Sequence, residues 1–277
     1  MLAGVQIICF AASYAVALVL EVSRLLFRSG VRGAVMLGFV GAGWVAHTVF
    51  LYYRAVHAVG VPLSSYRDWF LLAAWVLIVV YIYLGCCHPR TPFGLFLLPL
   101  ALGLIATAAL LADKPFAREP ASKVWGTIHG VSLLLGTVSV LVGFAAGMMY
   151  LGQAWRLKHQ GPSATGLRLP SLEWLQRTNA RAIVVSALML GMGLLSGMIL
   201  NAINYRHRAP VLPWNDPVVL STSAMFVWLL LHAALSVFYQ PVRQGRKIAY
   251  LTVASFLFLM VALAMTLLLG TRHGGGP

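Results

Sequence analysis

The sequence predicts an all-α polytopic integral membrane protein, about eight transmembrane helices in one bundle, and excludes a soluble globular domain. Three observations carry this. Apolar residue types make up 60% of the 277 residues and charged types only 9%. A soluble domain is about one-quarter charged, and a water-facing surface cannot be built from so few charges. The apolar residues also arrive in runs near the length a helix needs to cross the hydrocarbon core, about 20 residues. Finally, no segment alternates as barrel strands do, and lipid offers the backbone no partners, so helices are the form left.

Taken in order, the runs fall at about 2–20, 34–53, 69–84, 92–111, 126–151, 182–203, 218–238 and 249–269. The first has no basic segment before it, so it reads as a span and not as a cleaved signal. The third is the shortest and extends back toward Tyr66. The fifth and sixth hold Gly143-Phe-Ala-Ala-Gly147 and Gly193-Leu-Leu-Ser-Gly197, small-residue spacings that let helices approach closely; we expect packing from them and no information on function. In the longest connection, 153–181, Leu169-Pro-Ser-Leu-Glu-Trp-Leu175 reads as a short interfacial helix opened by Pro170. The chain reads as a single transmembrane domain, 1–277, with N-terminal spans over 1–111 and a core over 125–277.

The net charge of +14 would suggest nucleic acid in a soluble protein. Here the basic residues sit in short connections between apolar runs, so they read as topology signals and contacts to anionic headgroups of the lipid bilayer, with no nucleic acid implied. Odd-numbered connections hold Arg24, Arg28, Arg32, Arg90, Arg156, Lys158, Arg168, Arg177, Arg181, Arg243, Arg246 and Lys247. The opposite side holds fewer: Arg54, Arg67, Lys114, Arg118, Lys123, Arg206, Arg208 and Arg272. The rule that basic residues stay inside makes the odd connections cytoplasmic and puts both termini outside. Cys9 lies in an apolar run, Cys86 and Cys87 are adjacent, and no Cys-x-x-Cys occurs, which argues against a disulfide framework or zinc site.

Ionisable residues within or beside spans are the default functional candidates in a membrane protein. Four histidines meet that test: His47, His129, His232 and His273. We expect no Asp, Glu, Lys or Arg deep in any span, which argues against an ion-coupled transporter. No nucleotide loop, Ser-His-Asp order or paired carboxylates occur. On the expected topology His129, His273 and the connection carrying Tyr205, His207 and Trp214 converge on the outer face. Neutral imidazoles are good ligands for haem iron, and a porphyrin between two imidazoles with an aromatic loop beside it is a sound site. Plainer roles stay open: His129 as a partner to a neighbouring helix, His273 as part of a solvated Gly-rich tail, and His47 and His232 as packing residues.

The order of motifs resembles the CcsA/ResC-type cytochrome c assembly proteins, including the related HemX-like membrane proteins. Pro62-Leu63-Ser64-Ser65 before Trp69 is similar to the family's Pro-Leu-Ser-Asn. Trp125 with His129 resembles the segment of the first external haem ligand. Met148-Met149-Tyr150-Leu151, then Leu169-Pro-Ser-Leu-Glu173, then Arg181 follow the family order. Leu231-His232 resembles the membrane-embedded haem site, and Leu269-Gly270-Thr-Arg-His273-Gly274 the segment of the second external histidine. The family's Trp- and Gly-rich loop ends in Trp-Asp-Pro-Lys; here it reads Trp214-Asn215-Asp216-Pro217, with one inserted Asn and no following Lys.

The resemblance implies a haem-handling protein that presents haem b at the outer face of the bacterial inner membrane for attachment to apocytochrome c. It implies a CcsB/ResB-like membrane partner and places the chain as a component of a haem lyase, or cytochrome c synthase, complex; the chain itself offers no acid, base or nucleophile for the reaction. His129 and His273 would be the axial ligands of the iron, His232 and His47 would serve an internal haem, and Trp214 and Asp216 would order the loop beside the outer one. The alternative is a HemX-like accessory or regulatory protein without catalytic haem delivery.

The split of basic residues makes a direct prediction. Reporter fusions after Gln160 should read cytoplasmic and fusions after Arg208 external; the reverse pattern would overturn both the topology and the outer face assigned to His129.

Overall fold

In lipid each helix closes its own backbone hydrogen bonds, and the computed structural model of the chain is helical wherever an apolar run occurs. It describes residues 6–26, 31–57, 65–89, 91–111, 123–159, 169–207, 211–238 and 246–268. Among these the elements are α1 (Ile7–Leu26), α2 (Val31–His57), α3 (Tyr66–Cys87), α4 (Gly94–Leu110), α5 (Lys123–His159), α6 (Leu172–Arg206), α7 (Pro217–Phe238) and α8 (Arg246–Leu268), with no strand. Six of them are long and apolar enough to cross a membrane; the apolar helices Ile7–Ser23 and Gly94–Leu110 are shorter. The chain is an all-α integral membrane protein, as its composition requires.

Two compact units divide the helices. The first comprises 1–115 and 156–170, the second 116–155 and 171–277. In the first unit α1 packs on α2 and α4, and α3 packs on the same two helices, closing a four-helix ring. Its core is Phe10, Tyr14, Leu71, Leu77, Ile78, Tyr81, Phe93, Leu97 and Leu98. Gly43 lets α1 and α2 touch: a Cβ there would stand 2.8 Å from the Tyr14 ring and 2.9 Å from Ser13 Cβ. The helix ends of this unit are locked electrostatically. Ser65 caps α3 through a reciprocal box with Asp68, whose backbone N–H donates to the Ser65 hydroxyl while the carboxylate accepts from Ser65. The same carboxylate, buried, takes the Arg54 Nε–H at 2.6 Å and so ties the end of α2 to the start of α3.

The second unit holds α6, α7 and α8 in mutual contact, and glycines bring α5 against them. A Cβ at Gly136 would meet the Leu190 backbone nitrogen at 3.5 Å, and one at Gly147 the Ala249 carbonyl at 3.6 Å. Phe144 of α5 stacks on Phe256 of α8 with centroids 4.0 Å apart. Buried Thr252 of α8 donates to the Asn179 side-chain oxygen of α6 at 2.8 Å. Such an interhelical bond in a membrane contributes about 0.6 kcal/mol on average.

Two expectations are corrected. The segment 169–175 is not a separate interfacial helix. Ser171 accepts the Trp174 N–H and caps α6, which runs unbroken to Arg206. The 35 residues of α6 reach about 52 Å and the 37 of α5 about 55 Å at 1.5 Å per residue, well beyond a hydrocarbon core of about 30 Å. The polar start of α6 is therefore an overhang of a spanning helix, which a hydropathy window cuts off. The second correction concerns charge: Glu21 is fully buried within α1, with its Cγ 3.1 Å from where a Cβ on Gly94 would stand. The apolar window closes at Leu20, but the helix continues, and packing against α4 takes the carboxylate out of solvent.

The Arg54–Asp68 pair predicts a stability effect. Arg54→Ala leaves a buried carboxylate without its guanidinium, which costs about 3 kcal/mol. Thermal unfolding in detergent should show a clear drop in Tm, and Arg54→Lys should recover part of it; an unchanged Tm for Arg54→Ala would refute this role for the pair.

Candidate functional site

The second unit assembles the richest set of polar side chains around two histidines. His129 lies two turns into α5, where its Nδ1–H donates to the Gly193 carbonyl of α6 at 2.7 Å. A carbonyl can only accept, so this bond fixes Nδ1 as the protonated nitrogen of the neutral ring. Gly197 makes room for the ring: a Cβ there would stand 3.0 Å from His129 Cε1 and 3.1 Å from Nδ1. At Gly193 a Cβ would lie 2.6 Å from Leu133 Cδ2. The Gly193–Gly197 pair, expected to serve packing without bearing on function, thus seats a candidate ligand. That role becomes visible only once the register of α5 against α6 is known.

His232 of α7 is 1% exposed. Its Nδ1 lies 3.4 Å from Ser255 Oγ of α8, and its Nε2 is buried with no hydrogen-bond partner among the described residues. Trp228, one turn earlier, donates its indole N–H to the same Ser255 oxygen at 3.0 Å. Asn179, Ser255 and Trp228 were not singled out from sequence. Polar residues on helices whose apolar neighbours dominate the pattern carry no periodic signal, although Trp228 and His232 share the i, i+4 spacing that puts both on one face.

His47 belongs to the first unit. It is fully buried, stacks on Phe10 with centroids 4.1 Å apart and planes 2° apart, and lies 3.4 Å through Nδ1 from the Tyr14 hydroxyl. Its Nε2 also is buried without a hydrogen-bond partner among the described residues. The packing role left open for His47 and His232 therefore accounts for only one nitrogen of each ring.

The α6–α7 connection is held from both ends. Asn201 near the end of α6 donates to the Leu212 carbonyl at 3.0 Å and accepts the Leu212 N–H at 2.9 Å. Asp216, 4% exposed, accepts the Val218 N–H at 2.9 Å and caps α7. Trp214 between them is 64% exposed and Tyr205 is 76% exposed. His273 lies outside the described residues, as do Pro62, Leu63, Ser64 and Arg272 of the motifs quoted above.

A model of the family described as cytochrome C assembly protein matches residues 63–272. The chain belongs to that family. The match takes in α3 through α8, and with them His129, His232, Trp214 and Asp216. No curated protein and no solved structure shows a match to the chain. Membership gives this family member a role in cytochrome c biogenesis alongside the maturation machinery, and a family chemistry concerned with haem. The imidazoles of His47 and His232 fit such a group: each has a buried Nε2 lacking a hydrogen-bond partner among the described residues, and a neutral imidazole nitrogen is a donor that haem iron takes.

The cap at Asp216 makes a graded prediction. Asp216→Asn should be close to neutral, because Asn caps nearly as well, whereas Asp216→Ala should destabilise by about 1 kcal/mol. Asn201→Ala should loosen the same connection, and proteolysis at Val211–Asn215 in detergent would report it; equal cutting of the wild type and both alanine variants would remove the ordering role.

Proposed function

We propose that this family member is a haem-handling membrane protein that holds haem and presents it at the outer membrane face for attachment to apocytochrome c. The observation that carries the reading is the buried His232 Nε2 without a hydrogen-bond partner, inside the part of the chain that matches the family. His47 offers a second nitrogen of the same kind in the first unit. His129, whose Nδ1–H is committed to Gly193, and His273 are the residues that would hold the iron of an external haem. Bound haem supplies the vinyl groups to which cysteine thiols of apocytochrome c add to form thioethers. The chain's own residues orient the group, keep water from it and hold its iron, while Trp214 and the Asp216-capped connection line its edge. A CcsB/ResB-like membrane protein is the proposed partner, and the bacterial inner membrane, with both termini outside, the proposed location.

One observation favours a second reading, a HemX-like accessory protein. The Asp216 carboxylate is engaged as a helix cap, so the reduced Trp214–Pro217 motif offers less to an external haem.

The absorbance spectrum decides between them. The purified protein should show a Soret band with low-spin features, as two imidazole ligands give. His129→Ala and His273→Ala should each lower haem content and shift the spectrum toward high spin, and added imidazole should partly restore it. His159→Ala, at the exposed end of α5, should change nothing. A wild-type protein without a Soret band, or histidine variants with unchanged haem content, would favour the accessory role.

A further inference from the structure

Ser255 stands at the junction of three hydrogen-bonding groups. It is fully buried on α8, facing Trp228 and His232, which are one turn apart on α7. Its hydroxyl donates to the Leu251 carbonyl one turn back at 3.0 Å. The indole N–H of Trp228 donates to Oγ at 3.0 Å, and stacking of that indole on Phe258, with centroids 5.1 Å apart, holds it in place. His232 Nδ1 is the third group, at 3.4 Å.

Counting protons decides the direction of the third bond. A serine hydroxyl has one proton and two acceptor lone pairs, and an indole nitrogen can only donate. The proton goes to Leu251 and one lone pair to Trp228. What remains at Oγ is a single lone pair, which can only accept. His232 must then donate from Nδ1. Nε2 has no hydrogen-bond partner among the described residues in either tautomer, so the contact with Ser255 is what sets the choice.

We propose that Ser255, with its proton committed to Leu251 and one lone pair to Trp228, locks His232 in the Nδ1–H tautomer, and so holds the bare Nε2 lone pair ready as an iron ligand. Ser255 is a positioning residue acting through His232, and the proposal rests on the haem-handling reading above. A ligating histidine generally donates its other N–H to a fixed acceptor, which sets the ring's tautomer and orientation. Here that acceptor is a hydroxyl whose own proton is used elsewhere.

The test has two arms. In the haem-free, full-length protein with nitrogen-15 histidine, NMR correlations should show His232 as the Nδ1–H tautomer in the wild type. Ser255→Ala should shift it toward Nε2–H, and Ser255→Thr, which keeps the hydroxyl, should hold it. With haem titrated in, Ser255→Ala should weaken binding about tenfold and change the spectrum, with Ser255→Thr close to wild type. A wild-type His232 in the Nε2–H form, or a Ser255→Ala variant with tautomer and haem affinity unchanged, overturns the proposal. The underlying reading fails separately. If His232→Ala binds haem as the wild type does, His232 is no ligand and the positioning role falls with it. If His232→Ala loses haem while Ser255→Ala keeps it, the haem reading stands and only the role of Ser255 is refuted.

Discussion

Close approach of helices at glycine is the constraint on which the second unit rests. Helices in lipid gain nothing from hiding apolar surface, because the tails outside are as apolar as the residues inside. They associate through packing and through polar contacts, and both need the backbones near each other. Gly136 and Gly193 bring α5 onto α6, and Gly147 brings it onto α8. At that separation His129 reaches a backbone carbonyl on the neighbouring helix. A larger residue at Gly197 would occupy the space its ring fills. Helix packing and ligand geometry are the same contact seen twice.

Two of the histidines share a pattern of half-satisfaction. His232 lies beside a serine and His47 beside a tyrosine. An interior built only for stability would satisfy the second nitrogen too, since an unmatched buried polar atom costs free energy. In His47 and His232 that atom stays without a hydrogen-bond partner among the described residues. Buried polar atoms in this state call for an account, and the proposed haem would provide one. Asn179, whose Nδ2 is likewise unmatched while Oδ1 takes the Thr252 hydroxyl, shows that the C-terminal unit carries more buried polarity than its hydropathy suggests.

The eight helices among the described residues, the all-α class and the membrane setting were legible from composition and run length, because the bilayer imposes one backbone form and nearly one length. Boundaries were less legible where helices overhang. A hydropathy window stops at the first polar residues, so Glu21 falls outside the first run and the start of α6 reads as a separate element. The candidate histidines could be picked out because ionisable residues are rare in apolar runs. Ser255, Trp228, Asn179 and Gly197 could not, because Ser, Trp, Asn and Gly are ordinary constituents of such runs.

What the sequence determined by itself is therefore whatever local chemistry enforces: helices where apolar runs occur, and the family, through motifs spread over 63–272. Tertiary structure decided which nitrogen of each histidine is engaged, which glycine gives a ring its space, and that a serine, a tryptophan and a histidine from two helices meet at one oxygen. Those facts depend on the rotation and register of one helix against another. Many weak contacts summed along each interface set them, and no single segment of the chain encodes that sum.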